Sequence, residues 1–261
     1  MGLDPVLDSI PLKGSPGECI FEFYETILDR IVKLNEYPGA VKPNYAFYAQ
    51  YGLEGISALK KIIDIYKNAG IPIILDVKRG DIGTTAQAYA EEAYTFFGAD
   101  AVTLSPYMGY DSISPFVKKF PDKGAYILTK TSNESSGDLQ DILYNSAPLF
   151  EYVAKKILDW HFDGIGSVAG ATYPEQLETI SDIYIKSGKE VAMLIPGVGS
   201  QGGSLEAVMK ALRRFGDIRI HRINSSSGIN FAWKKKSGMH YADAAVEALK
   251  ELNDEIGSLS I

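Results

Sequence analysis

Along this chain, short runs of β-branched and aliphatic residues alternate with longer segments whose apolar positions recur at helical spacing, with turn residues between them. The runs at 1–4 (MGLD), 39–44 (GAVKPN), 71–77 (IPIILDV), 99–105 (ADAVTLS), 125–131 (AYILTKT), 163–170 (DGIGSVAG), 191–196 (VAMLIP) and 218–224 (IRIHRIN) read as strands. Residues 84–97 repeat apolar positions at Ala86, Ala90, Ala93 and Phe97, and Gly98 follows as a C-terminal stop. Residues 174–184 open on Pro174, favoured in a first helical turn, and repeat at Leu177, Ile180 and Tyr184. The last helix is predicted from about Tyr241 to Leu252.

Eight strands, each followed by a helix, predict a closed (β/α)8 TIM barrel forming a single domain over residues 1–261. The length is close to the roughly 250 residues typical of that architecture. An open doubly wound sheet is the alternative, usually with fewer strands. No linker or low-complexity segment divides the chain. The stretch TSNESSGDLQD at 131–141 falls between the fifth strand and its helix and is expected to form a loop over the barrel mouth. The first strand begins at residue 1, which leaves it little length to pair with. A missing segment ahead of it is expected.

Composition narrows the field. With 46% hydrophobic and 23% charged residues the chain is ordinary for a soluble domain. A formal charge of −7 argues against a nucleic-acid backbone as partner. No apolar run approaches the roughly 20 residues that span a membrane, and no signal-peptide pattern opens the chain. Cys19 is the single cysteine, which excludes an intrachain disulfide or a thiolate cluster and reads as a small buried apolar residue. A cytoplasmic enzyme or binding protein is expected.

The third strand then raises a physical question. ILDVKRGDIGTTAQ (74–87) ends a core run in Asp76, Lys78, Arg79 and Asp81, where desolvating charge is costly. Active sites of (β/α)8 barrels sit at the C-terminal strand ends. Asp4, Lys42, Asp76, Lys78 and Ser132 all fall there. Asp4 or Lys42 alone reads more readily as a solvated loop charge. Asp76 and Lys78 differ, because strand alternation puts both on one face, toward the barrel interior. A structural ion pair is the rival reading, although buried pairs seldom stabilise more than apolar packing does. Opposite charges about 4 Å apart attract by about 4 kcal/mol at an effective dielectric near 20. A carboxylate therefore keeps its lysine protonated and suited to general acid work, while carboxylates repel an anionic substrate group. That pairing suits decarboxylation.

PGVGSQGGS (196–204) matches G-x-G-x-x-G through Gly197, Gly199 and Gly202. A dinucleotide site is disfavoured, because the motif lies in the seventh unit and the next strand, IRIHRIN, ends without an acid. A phosphate site of the barrel itself fits better, since glycines allow close approach of backbone N–H groups. A purely structural turn is the rival. His161, His221 and His240 are isolated, with no metal-ligand spacing, so no metal is expected. G-x-S-x-G, H-E-x-x-H and Walker sequences are absent, and WKKKSG (233–238) reads as a solvated face.

LDVKRGDIGTTAQAYA carries an Asp-x-Lys-x-x-Asp-Ile-x-x-Thr signature that resembles the orotidine 5′-monophosphate decarboxylase family. GLDP near the start, KPNYAFYAQYG (42–52), TLSPYMGYDS (103–112) and PGVGSQGG (196–203) are similar to its longer bacterial subfamily. The resemblance implies a cofactor-free lyase converting orotidine monophosphate to UMP and CO2. It implies that Lys78 protonates C6, that Asp76 crowds the substrate carboxylate and holds Lys78, and that Lys42 and Asp4 contact the ribose. Ser132 would bond the pyrimidine, while Pro196, Gly197, Gly199, Gln201 and Gly202 would close on the phosphate. Asp81, Ile82 and Thr85 would reach into a neighbouring subunit's site, implying a homodimer with shared active sites. One departure concerns the phosphate. Where the family pattern has arginine, NSSSGINFA (224–232) has Ser227, which predicts weaker phosphate binding unless another cation, with Arg222 the nearest, substitutes. Rival functions are a metal-dependent sugar-phosphate lyase of the same superfamily, a nucleotide-binding barrel without turnover, and a Schiff-base aldolase. The aldolase is disfavoured by a lysine kept protonated.

Overall fold

A computed structural model describes residues 1–199 and 202–260. Six parallel strands form one sheet in chain order: β3 (Ile74–Arg79), β4 (Ala101–Leu104), β5 (Gly124–Lys130), β6 (Ile165–Ala169), β7 (Ala192–Pro196) and β8 (Arg222–Asn224). Two further strands, β1 (Gly2–Leu3) and β2 (Lys42–Pro43), pair parallel in the register Gly2↔Lys42 and Leu3↔Pro43. Single bridges, Val41↔Ile73 and Asn44↔Asp76, join β2 to β3. The Gly2 N–H donates to the Ser225 carbonyl at 2.8 Å and joins β1 to the end of β8. The ring is thus closed, which rules out the doubly wound alternative. Strand one is as short as expected, yet it is paired on both sides, and that pairing places Asp4 at the mouth.

Alternation along the strands builds two cores. Ile74, Ala101, Tyr126, Val168 and Leu194, with Ala40 before β2, form a buried layer inside the barrel. Their chain neighbours Leu75, Val102, Ala125, Ile127, Met193 and Ile195 belong to the larger cluster against the helices. Burying each large aliphatic side chain contributes about 1.5–3 kcal/mol, so a one-residue slip in any strand would exchange the two faces at severe cost.

The helices follow their sequence signals. The helix Pro16–Leu34 opens on a Ser15/Glu18 capping box and ends at Asn35 in the left-handed region. It carries the buried Cys19 and packs Phe23 against Tyr241 of the final helix, with ring centroids 4.9 Å apart. Four segments differ from expectation. The helix predicted over 84–97 runs Gly83–Glu91 and then widens into a π turn, Glu92–Phe96, closed by the Phe97 N–H on the Glu92 carbonyl. The final helix extends to Leu259, because Leu252, Ile256 and Leu259 continue its apolar stripe against the core. Residues 218–220 form a 3-10 turn ahead of a shorter β8. Residues 131–141 are no open loop: they hold a 3-10 turn and the short helix Gly137–Gln140, and the hairpin Leu143–Tyr144 with Ala147–Pro148 follows. Among the described residues, no helix is long and apolar enough to cross a membrane.

Candidate active site at the barrel mouth

The inward face of β3 rises from Ile74 in the barrel core to Asp76 and then Lys78 at the rim. Asp76 is 6% exposed, and three groups donate to it. Lys42 Nζ donates to Oδ2 at 2.9 Å, Lys78 Nζ donates to Oδ1 at 2.7 Å, and Thr103 Oγ1 donates to Oδ1 at 2.8 Å. Burial pushes the Asp76 carboxyl up, but the Lys42 and Lys78 ammonium groups outweigh it, and the carboxyl ends well below the usual carboxylate range. Burial likewise pulls Lys42 down, while Asp4 and Asp76 more than compensate, so that Lys42 titrates above its ordinary value. Both groups are held charged inside the barrel end. Lys78 differs in exposure: about half its side chain, 49%, is open to the mouth.

Of the four charges ending β3, only two enter this array. Arg79 lies on the opposite face, where its guanidinium stacks on Tyr89 at 4.2 Å and Tyr45 at 5.0 Å and donates to Glu92 at 2.8 Å. The Asp81 carboxylate accepts from the Ile82 N–H at 2.8 Å. Ile82 and Thr85, both exposed, stand at the start of the helix Gly83–Glu91, away from the cavity of their own chain.

The array floors a cavity of about 440 Å3. Leu128, Val168, Leu194 and Phe47 supply apolar wall, while Asp4 and Asn44 stand beside Lys42. Asp4 Oδ1 accepts from the Asn44 N–H at 3.2 Å, which ties the end of β1 to that of β2. Ser132 lines one rim. Thr172 Oγ1 donates to its carbonyl at 3.1 Å, and Gly170 packs so closely that a Cβ there would stand 2.9 Å from Ser132 backbone atoms. Gln140 exchanges two hydrogen bonds with Thr131, and Lys130, 1% exposed, donates to Asp141 at 2.7 Å, so that the 131–141 segment is tied down at both ends.

Pro196 and Gly197 line the opposite rim. Gly197, Gly199 and Gly202 have φ of +98°, +78° and +86°, a region that disfavours any side chain. The Gly199 N–H donates to the Gly203 carbonyl and the Gly202 N–H to the Gly199 carbonyl, so these two amides are used within the loop. Gln201 lies outside the described residues. Ser225 and Ser226 line the cavity, whereas Ser227 opens an exposed short turn of helix just beyond it. Arg222 is corrected as the substitute cation. It sits at the N-terminal end of β8, at the barrel base, and donates to the Arg219 and His221 carbonyls at 2.6 and 2.9 Å. Among the described residues, the cations lining the mouth are Lys42 and Lys78. Thr103, Asn44, Asn224 and Ser226 also line it and were not anticipated. A polar residue on the inward face of AVTL was the available signal for Thr103. Among the described residues, no cluster of three His, Cys, Asp or Glu could hold a metal ion.

A closed parallel barrel with a lysine–carboxylate–lysine array at its C-terminal mouth defines a (β/α)8 enzyme by both architecture and position of the site. Residues 7–232 match the orotidine 5′-phosphate decarboxylase / HUMPS family, and the chain belongs to it. It is 42% identical to the orotidine 5′-phosphate decarboxylase of Roseiflexus castenholzii, over 99% of this chain and 91% of that one. Against the enzyme of that name from Herpetosiphon aurantiacus the identity is 43%, over 89% of this chain and 86% of the relative. Among solved structures, Leishmania donovani UMP synthase superposes with a TM-score of 0.82 at 37% identity, covering 99% of this chain and 52% of that one, so this chain spans about half of that longer protein. Leishmania donovani OMP decarboxylase superposes with a TM-score of 0.80 at 34% identity, covering 99% and 92%.

Proposed function

We propose that this chain is an orotidine 5′-phosphate decarboxylase, a carboxy-lyase converting orotidine 5′-monophosphate to UMP and CO2 without a cofactor. The observation that carries the reading is Asp76, a buried carboxylate kept ionised between Lys42 and Lys78 on the floor of a cavity large enough for a nucleotide. A substrate carboxylate placed against it meets like charge in a poorly screened site, and losing CO2 relieves that repulsion. As the bond to CO2 breaks, its electron pair stays on C6, and the Lys78 ammonium delivers the proton that completes UMP. Asp76 holds that ammonium in place throughout.

Asp4 and Lys42, adjacent on the same wall, suit the ribose hydroxyls. Ser132, on a rim fixed by Gly170 and Thr172, suits the pyrimidine edge. The phosphate is assigned to the rim at Pro196 and Gly197, where the loop of Gly199 and Gly202 begins, with Ser227 where a charged side chain would add grip; Gln201, assigned to it by resemblance, lies outside the described residues. Asp81, Ile82 and Thr85 face away from their own cavity, and we assign them to the site of a second copy, giving a homodimer with shared active sites. A lone buried thiol suits a cytoplasmic setting.

A spectrophotometric assay of orotidine 5′-monophosphate consumption, run with and without chelator, tests the reading. Equal turnover in both is expected. Turnover abolished by chelator would assign the site to metal-dependent sugar-phosphate chemistry, and UMP binding without turnover would leave a nucleotide-binding barrel.

A further inference from the structure

Thr103 is 1% exposed, and its single hydroxyl touches both halves of the proton-delivery pair. Its oxygen accepts the Lys78 N–H at 2.9 Å, and its proton goes to Asp76 Oδ1 at 2.8 Å, the same oxygen that takes the Lys78 ammonium. The direction is forced. An ionised carboxylate only accepts and a backbone N–H only donates, so a hydroxyl, with one proton and two lone pairs, is the group that joins them.

The backbone explains why such a joint is needed. Lys78 has φ of +46°, the left-handed region that strains a side-chain-bearing residue. At that point the register of β3 against β4 slips between Leu75 and Arg79, so the ladder leaves the Lys78 amide without its regular partner. The Thr103 side chain takes the place of a ladder carbonyl. A strained backbone persists only where its surroundings over-determine it, and this twist turns the Lys78 side chain back onto the carboxylate two residues before it. We propose that Thr103 is a positioning residue for proton delivery, fixing the main chain of Lys78 and the Asp76 oxygen that receives its ammonium at the same time. The proposal rests on the decarboxylase reading for its kinetic consequence, while the joint itself can be read without turnover.

Thr103→Val keeps the shape and removes both hydrogen bonds, whereas Thr103→Ser keeps the hydroxyl. Thr103→Val is expected to lower kcat by about 10- to 100-fold with KM within about twofold, since misplacing a reacting group by about 1 Å costs on that order. Thr103→Ser should return kcat to within about threefold of wild type. Amide hydrogen exchange at Lys78 should quicken by about tenfold in Thr103→Val and stay near wild type in Thr103→Ser. If Thr103→Val does not accumulate as folded protein, Thr103→Cys, similar in size with a weak donor and acceptor, replaces it under the same expectations. Wild-type kcat in Thr103→Val, or equal impairment of the valine and serine variants, overturns the proposal. An inactive wild type refutes the decarboxylase reading instead, and the Lys78 exchange comparison then still decides whether the joint exists.

Discussion

The two ends of this barrel bury polar groups in opposite ways. At the mouth, Lys42 and Asp76, each 6% exposed, remain charged because each is the other's partner and because Lys78 and Thr103 also donate to Asp76. At the base, His221 is 7% exposed, accepts the Met193 N–H on Nδ1 at 3.0 Å, and packs its ring against Phe215. Its Nε2 finds no partner among the described residues, and burial, followed by the charge of Arg222, pushes its pKa down to about 4. The base therefore sheds charge and the mouth concentrates it. Comparable burial leads to both outcomes, and the difference lies in whether opposite charges and donors meet the buried group.

The sharpest way to break the contrast is to remove the mouth's exposed ammonium. Lys78→Ala should lower kcat by about 1,000-fold or more, because it deletes an interaction made mainly in the transition state. Near-normal turnover would place the proton donor elsewhere. Next in size is complementation between chains. Asp81→Asn and Lys78→Ala, each inactive alone, should regain roughly a quarter of wild-type activity when mixed, since half of randomly paired dimers are hybrids with one intact site. No recovery in subunit-exchange assays would remove the shared-site assignment.

Acid titration separates the two ends. The His221 pKa lies below its ordinary 6.5, so the unfolded chain binds that proton first, and stability held above pH 6.5 is lost as pH falls toward 4. The loss should reach about 3 kcal/mol by pH 4. Asp76 is depressed, so its contribution persists above the usual carboxylate pKa and is lost only below about pH 4. Denaturant unfolding from pH 7 to 4 should show the first slope in wild type and a flatter one in His221→Gln. An unchanged slope in that variant would assign the acid sensitivity to other groups. The smallest expected effect concerns the phosphate rim. Ser227→Arg should lower KM several-fold, about 1 kcal/mol, by adding a charge-assisted fork at a site whose described cations are only Lys42 and Lys78. An unaltered KM would show the phosphate held elsewhere.

Local order made much of this legible from the chain. Period-two alternation in ILDVKR places Ile74 and Asp76 on one inward face, because strand geometry decides it within a few residues, and points to Lys78 as the next position at the rim, where a left-handed twist held by Thr103 completes the placement. Eight apolar runs with intervening helices specified the barrel in the same way. What lay beyond reach depends on contacts distant in sequence. Two-residue β1 is a strand because Lys42 on one side and Ser225 on the other complete its hydrogen bonds. Arg222 looked close to the phosphate by residue number, yet it starts its strand, and the length of that strand separates it from the mouth. The bonds of Gly199 and Gly202 within their own loop cannot be read from a glycine count.

By itself, then, the amino-acid order determined which residues face inward, which architecture they build and which family the chain resembles, since each follows from short-range periodicity or from contiguous motifs. Only the tertiary structure decided that Lys42, Asp76, Lys78 and Thr103 share one network while Arg79, a neighbour in sequence, stacks on Tyr89 outside it. Hydrogen bonds act over about 3 Å of space, and residues 25 to 34 positions apart come within that distance only when the sheet has closed.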